Sequence, residues 1–132
     1  MNPKTAIKTL LYLFGGVVLF HVFIVLKLIS YDITWGGRLK SDQEMYVFEI
    51  ISILINLFLC FILLVKGKYI KEILPPKVVN VVLWIFLVLF GLNTIGNILA
   101  ETTFEKFFGI LTLAASILIW IILKKEKKIS IE

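Results

Sequence analysis

The 132-residue sequence is poor in the side chains that bind metals, form disulfides or carry thiol chemistry. It contains a single cysteine, Cys60, and a single histidine, His21. One thiol cannot form an internal disulfide, and no second Cys or His lies at a metal-ligand spacing. Gly15-Gly16 and Gly36-Gly37 are bare pairs, not a phosphate-binding loop. We therefore expect no metal site, no cofactor and no thiol redox chemistry.

Charged residues are also scarce, at 17% of the chain, whereas 60% of the residues are hydrophobic and the mean hydropathy is +1.01. Soluble domains contain roughly 45–50% apolar residues. A small soluble domain buries only about two-thirds of its surface, so it could not hide this much hydrocarbon. The composition therefore predicts an integral membrane protein.

The apolar residues fall into four long runs, each close to the roughly 20 residues that span a bilayer core. The first run is long for a signal-peptide core and is followed by no small-x-small motif, so we expect it to remain as a helix. Short connections make successive helices antiparallel neighbours. The sequence therefore predicts one all-α domain, an up-down bundle of four transmembrane helices. Their approximate bounds are 6–29, 42–65, 76–100 and 103–123, followed by a basic tail, 124–132.

Turn and cap signals support these bounds. Ser41 followed by Glu44, and Thr102 followed by Glu105, have the form of capping boxes and predict the starts of helices 2 and 4. Pro76 suits the first turn of helix 3, where the missing N–H costs nothing.

Basic residues are distributed unevenly between the two predicted sides of the membrane. Positive charge stays cytoplasmic, so the side with more Lys and Arg is assigned to the cytoplasm. Ten of the fourteen lie on one side and four on the other; the ten are Lys4, Lys8, Lys66, Lys68, Lys71, Lys77, Lys124, Lys125, Lys127 and Lys128. Both termini are therefore expected in the cytoplasm of a cell (inner) membrane protein. The lysines flank the spans and are not interleaved with stacking aromatics, which favours lipid headgroups over nucleic acid as their partner.

Polar residues within the spans are the candidate site, because charged groups in hydrocarbon cost roughly 2.5–3.5 kcal/mol on insertion scales. His21, Glu49, Asn93 and Asn97 all lie about 4–10 Å inside the outer ends of their helices. The sequence thus predicts an outward-facing polar pocket beneath the outer loop, with Asp32, Trp35 and Arg38 at its mouth.

Helix 2 extends this predicted pocket towards the middle of the membrane. Glu49, Ser52, Asn56 and Cys60 are spaced as one continuous stripe of a helix. We expect the stripe to face the bundle axis, with Asn56 near mid-bilayer and no aqueous pore below it. A purely structural reading stays open, in which intramembrane Asn residues link helices and His21 and Glu49 satisfy each other. On helix 4, the small residues Gly109, Thr112 and Ser116 predict a packing seam.

Three segments, "YDITWGGRLKSDQEMYVFE", "NTIGN" and "TTFEKFFGILTL", resemble those of small four-span bacterial membrane proteins of uncharacterised function. The resemblance covers most of the chain and centres on a Y-D-x-x-W-G-G-R-L-K-S outer loop. It implies a bacterial four-helix membrane protein and no particular activity.

Three functions are compatible with these residues. The first is binding or transport of a small polar or cationic solute in the pocket. The second is an accessory role, in which the bundle forms a homo-oligomer or docks a larger membrane protein. The third is an intramembrane enzyme that uses His21 and Glu49 as an acid–base pair. No nucleophile with an orienting partner is visible, so we expect no catalytic residue and favour a protein that is not an enzyme.

Overall fold

The computed structural model describes residues 1–33 and 39–131, with side chains omitted at Ile33 and from residue 126 onward. The described residues form four α-helices and a short 3-10 helix, and they contain no strand. The long helices are α1 (Pro3–Val25), α2 (Asp42–Lys66), α3 (Pro76–Ile98) and α4 (Thr103–Ile131), and the 3-10 helix is Tyr31–Ile33. Each α-helix is long and apolar enough to cross a membrane.

The helices form an antiparallel bundle in which each contacts its neighbours in sequence and α1 also contacts α4. Lys27 beyond the end of α1 donates to Asp42 at the start of α2 at 2.6 Å. At the opposite end, Lys66 of α2 donates to Asn80 of α3, also at 2.6 Å. The predicted all-helical bundle is confirmed. We call the end that carries the connection between α1 and α2 the loop end; α1 begins and α4 ends at the other end, which we call the terminal end.

A continuous apolar core runs along the bundle axis. Its buried members come from all four helices, and the largest include Leu10, Phe14, Leu59, Ile62, Leu63, Leu83, Ile119 and Ile122. Only 28–33% of the most apolar window of each helix is buried. The outward surfaces therefore remain apolar as well, as hydrocarbon surroundings require.

Helix starts follow the cap signals with two differences in detail. Ser41 accepts a hydrogen bond from the Glu44 amide at 3.2 Å, but the Glu44 carboxylate accepts from the amide of Lys40, one residue before the cap. Thr102 accepts from the Glu105 amide at 3.2 Å and donates its hydroxyl to the Glu105 carboxylate at 2.8 Å. Both pairs still satisfy donors that the first helical turn leaves without partners.

Helix ends differ more from the sequence expectation. Helix α1 begins at Pro3, capped by the side chain of Asn2, and ends at Val25 instead of residue 29. It ends because Lys27 has φ 61° and the Leu28 amide donates back to the Phe23 carbonyl, which is a Schellman cap. Helix α3 ends at Ile98, and α4 continues through the expected basic tail to Ile131.

Small hydroxyl residues join α3 to α4. Thr94 and Thr112 share a hydrogen bond at 2.9 Å, and Ser116 donates to the Leu87 carbonyl at 3.2 Å. A Cβ atom added to Gly109 would lie 3.2 Å from the Asn97 Cβ. The predicted packing seam on helix 4 is confirmed.

Candidate functional site

The loop-end half of the bundle contains a buried pair of titratable side chains. His21 of α1 and Glu49 of α2 are hydrogen-bonded through Nδ1 and Oε2. The Glu49 side chain is fully buried, and the His21 side chain retains 12% of its exposure. The pairing across helices 1 and 2 that the sequence allowed is therefore observed.

The two nitrogens of the His21 ring have different surroundings. An ionised carboxylate can only accept, so ionised Glu49 holds a proton on Nδ1 and leaves Nε2 of a neutral ring as an acceptor. No hydrogen bond within residues 1–33 and 39–131 uses Nε2, and no buried polar side-chain atom there lacks a partner. Nε2 is therefore among the atoms that give His21 its remaining exposure. A buried Glu49 fixes the ring while the opposite nitrogen stays accessible.

Among the described residues, apolar side chains flank both members of the pair. Met45 lies one turn before Glu49 on α2 and packs with Ile24 and Leu39 in a small cluster at the loop end. The ring of Phe20 meets the His21 ring edge-on, with centroids 5.6 Å apart. Because hydrogen bonds are electrostatically stronger in such surroundings, the geometry of the pair is well held.

The two asparagines of α3 do not join this pair. Asn97 is partly buried and lies against Gly109 of α4, whereas Asn93 is exposed on the outer face of α3. Among the described residues, neither side chain hydrogen-bonds to His21 or Glu49. The expected layer of four converging side chains is thus reduced to two, because depth along a helix does not define which way a side chain points.

Beyond Glu49, the polar stripe of α2 does not form a continuous polar path among the described residues. Asn56 is partly buried, and its side-chain amide donates to the Ser52 carbonyl one turn earlier at 2.8 Å. Cys60 packs against the apolar core. These residues therefore offer no described link between the His21–Glu49 pair and the opposite end.

The connection between α1 and α2 is described only in part. Asp32 is exposed and accepts a hydrogen bond from Ser30 at 3.1 Å, so it is held locally. Trp35 and Arg38, both predicted at the mouth of the pocket, lie outside the described residues. Tyr31 and Leu39 on either side of them pack over Ile24 and Met45. The flanks of the loop therefore cover the end of the bundle that contains the pair.

An apolar groove lies between α1 and α4 and was not predicted from the sequence. It has a volume of about 500 Å³ and is lined by apolar residues that include Leu13, Gly16 and Phe20 of α1 and Phe104, Phe108 and Ala114 of α4. The signal that could have revealed it was the spacing of Phe104 and Phe108, one turn apart on helix 4. Within the described part of the chain, no cluster of His, Cys, Asp and Glu could hold a metal ion.

No protein-family model, curated protein or solved structure matches this chain. The functional assignment therefore depends on the geometry of the site.

Proposed function

We propose that this chain is a multi-pass protein of the cell (inner) membrane, with both termini in the cytoplasm, that binds a small polar or cationic solute at His21. The observation that carries the proposal is the accessible Nε2 of a ring whose Nδ1 is held by a buried carboxylate. The excess of basic residues at the terminal end supports the orientation, so the loop end faces outward.

The chemistry of the pair favours a ligand with an N–H or O–H donor. When Glu49 is ionised and the His21 ring is neutral, Nε2 accepts a hydrogen bond, and the carboxylate places negative charge beside the ring, which favours a cation. Apolar surroundings strengthen both the hydrogen bond and the charge attraction. A primary ammonium group satisfies each requirement.

The core below the site supports binding over passage through the bundle. Phe14 of α1 and Phe90 of α3 pack with ring centroids 5.1 Å apart, and Phe86 packs against Phe90 at 5.9 Å. Leu10, Leu59 and Leu83 fill the same core and are fully buried. The packed core therefore closes the bundle beneath the His21 site.

Thermal unfolding of the purified protein in lipid nanodiscs tests the proposal. Ligands that bind only the folded state raise its melting temperature. We expect ethylamine or choline at millimolar concentration to raise it for the parent and for Asp42→Asn, which removes an exposed carboxylate of the same helix. Glu49→Gln should fold but lose the response. The proposal fails if neither compound stabilises the parent, or if Glu49→Gln responds as the parent does.

A second candidate function, assembly with another membrane protein or a second copy, is favoured by Asn93. Its amide lies exposed on α3 about one to two turns from the loop end, beside the exposed Gly96. An amide facing hydrocarbon needs a partner, and a second Asn93 offers both a donor and an acceptor. In a Cys60→Ala background that keeps Asn93, Gly96→Cys on the exposed surface of α3 should then form disulfide-linked dimers in membranes, and the exposed Leu54→Cys on α2 should not. Equal cross-linking at the two positions would argue against an interface at α3.

A further inference from the structure

We propose that the groove between α1 and α4 holds the hydrocarbon chain of an amphiphilic ligand whose ammonium head binds His21. This inference rests on the proposed His21 site and extends it from a small solute to a long-chain amine. It assigns one part of the ligand to each of two adjoining features of the bundle.

Phe20 connects these two features. Its ring contributes to the groove, and it contacts the rings of His21 at 5.6 Å and Phe104 at 5.4 Å. Leu13, at the deep end of the groove, lies seven residues from Phe20, or about 10 Å along α1. The loop-end part of the groove is therefore formed by Phe20, whose ring meets that of His21, and the groove leads from there towards the middle of the bundle.

The direction of the groove matches that of a lipid chain. Its upper end lies at the loop end, where α1 ends and α4 begins, and its lower end lies near the middle of both helices. A molecule with its head at His21 would thus extend its chain inward, parallel to the chains of the outer leaflet. A free polar solute would leave this apolar space unused.

The lining of the groove is apolar and leaves room for a hydrocarbon chain. Gly16 provides the space, because no atom lies within 4 Å of a Cβ built there. Phe104 and Phe108 form the opposite wall and pack with ring centroids 5.8 Å apart. Lipid chains are as apolar as this surface, so moving a chain from bilayer to groove brings no hydrophobic gain. Selection must come from close packing on the rings and from the head at His21.

Two neighbouring glycines provide a matched test. Gly15 and Gly16 are both exposed, and a Cβ added to either would have no atom within 4 Å, but only Gly16 lines the groove. Gly16→Leu should fill the groove and Gly15→Leu should not. Ala114→Leu fills the same groove from α4, so an effect shared with Gly16→Leu cannot arise from a local defect in α1.

The experiment compares ethylamine with decylamine, which share one head, in nanodiscs that contain histidine-labelled protein. Because the chain has one histidine, its ¹⁵N signal reports the site directly. We expect decylamine to act at lower concentration than ethylamine in the parent and in Gly15→Leu. In Gly16→Leu and Ala114→Leu its apparent affinity should fall by about tenfold or more, with that of ethylamine unchanged. Partitioning of decylamine into lipid is the same for every variant.

Three results would overturn the groove proposal, and they distinguish its failure from failure of the proposed His21 site. If decylamine binds all variants with equal affinity and ethylamine still binds, the groove does not hold the chain, but the His21 site is retained. Failure of both amines to change the signal would remove the site and the groove proposal together. Dimers that Gly16→Leu or Ala114→Leu dissociates, measured by cross-linking, would assign the groove to a second copy of the chain.

Discussion

At the scale of single residues, Glu49 and His21 have different roles although they form one pair. Glu49 is fully buried and orients the ring, whereas His21 retains 12% exposure and presents its other nitrogen. The sequence could predict this pair because both residues are costly in hydrocarbon and lie at similar depth. It could not predict the exposure of Asn93, because α3 is apolar on its lipid side as well as on its core side. Apolar periodicity therefore carries no signal about which face is inside.

The pair should show strong energetic coupling. His21→Leu leaves the buried Glu49 carboxylate without one of its donors, so the free energy of unfolding should fall by about 1–3 kcal/mol. Adding Glu49→Leu should recover part of that loss, because apolar replacement of a buried pair is often neutral. Denaturation of the single and double variants in one lipid or detergent system measures the coupling. Strictly additive effects would show that the two side chains act independently.

Lys27 and Asp42 form a contrasting, exposed pair at the loop end. The hydrogen bond to Asp42, and then the charge of Asp42, raise the pKa of Lys27 above its ordinary 10.5. Because the pKa of this base is higher in the folded state than in the unfolded state, the pair contributes fully to stability at pH values below the unfolded-state pKa. That contribution is lost as pH rises through the folded-state pKa. Melting temperatures of the parent and Asp42→Asn should therefore differ by a constant amount between pH 6 and pH 9. If the difference in melting temperature changes between pH 6 and pH 9, one member of the pair titrates in that interval.

At the scale of helices, two lysines in the left-handed region determine where α1 and α2 end. Lys27 and Lys68 have φ of 61° and 60°, and each occupies the position after the helix cap where glycine is usual. Glycine is the usual sequence signal for this position. Because α1 has lysine there, the sequence predicted an end at residue 29 instead. Helix starts were predicted better, because Ser, Thr and Pro signal them directly.

Replacing Lys68 by glycine should stabilise the protein. A non-glycine residue in the left-handed region costs roughly 1–2 kcal/mol, which glycine avoids. The control is Lys71→Gly, which removes the same charge three residues later, where the structure records no positive φ. Melting temperature should rise for Lys68→Gly alone; a fall would mean that the side chain of Lys68 contributes more than its backbone strain costs.

The seam between α3 and α4 depends on Gly109. A methyl group there would lie 3.2 Å from the Asn97 Cβ, so Gly109→Ala should lower stability by forcing the helices apart. Gly91→Ala meets no atom within 4 Å and should be neutral or stabilising by up to about 1 kcal/mol. The melting temperatures of the two variants are compared with that of the parent protein in the same lipid. Identical behaviour would exclude close packing at Gly109.

At the scale of the whole molecule, hydropathy accounts for the number and order of the helices, and basic charge supplies the expected orientation. If ten basic residues against four fix one topology, reporters fused after Glu132 and after Lys71 should read cytoplasmic. A reporter inserted at Gly37 should read external. Mixed signals at any of the three sites would indicate insertion in both directions and would remove the basis for an outward-facing site.

The most direct test of the His21 site is a ¹⁵N correlation spectrum of its imidazole in nanodiscs, recorded with and without ethylamine. The bond to Glu49 predicts that the neutral ring carries its proton on Nδ1, and that ethylamine shifts mainly the Nε2 resonance. Glu49→Gln should lose the ethylamine effect. A proton on Nε2 in the parent, together with a spectrum that ethylamine leaves unchanged, would contradict the proposed site.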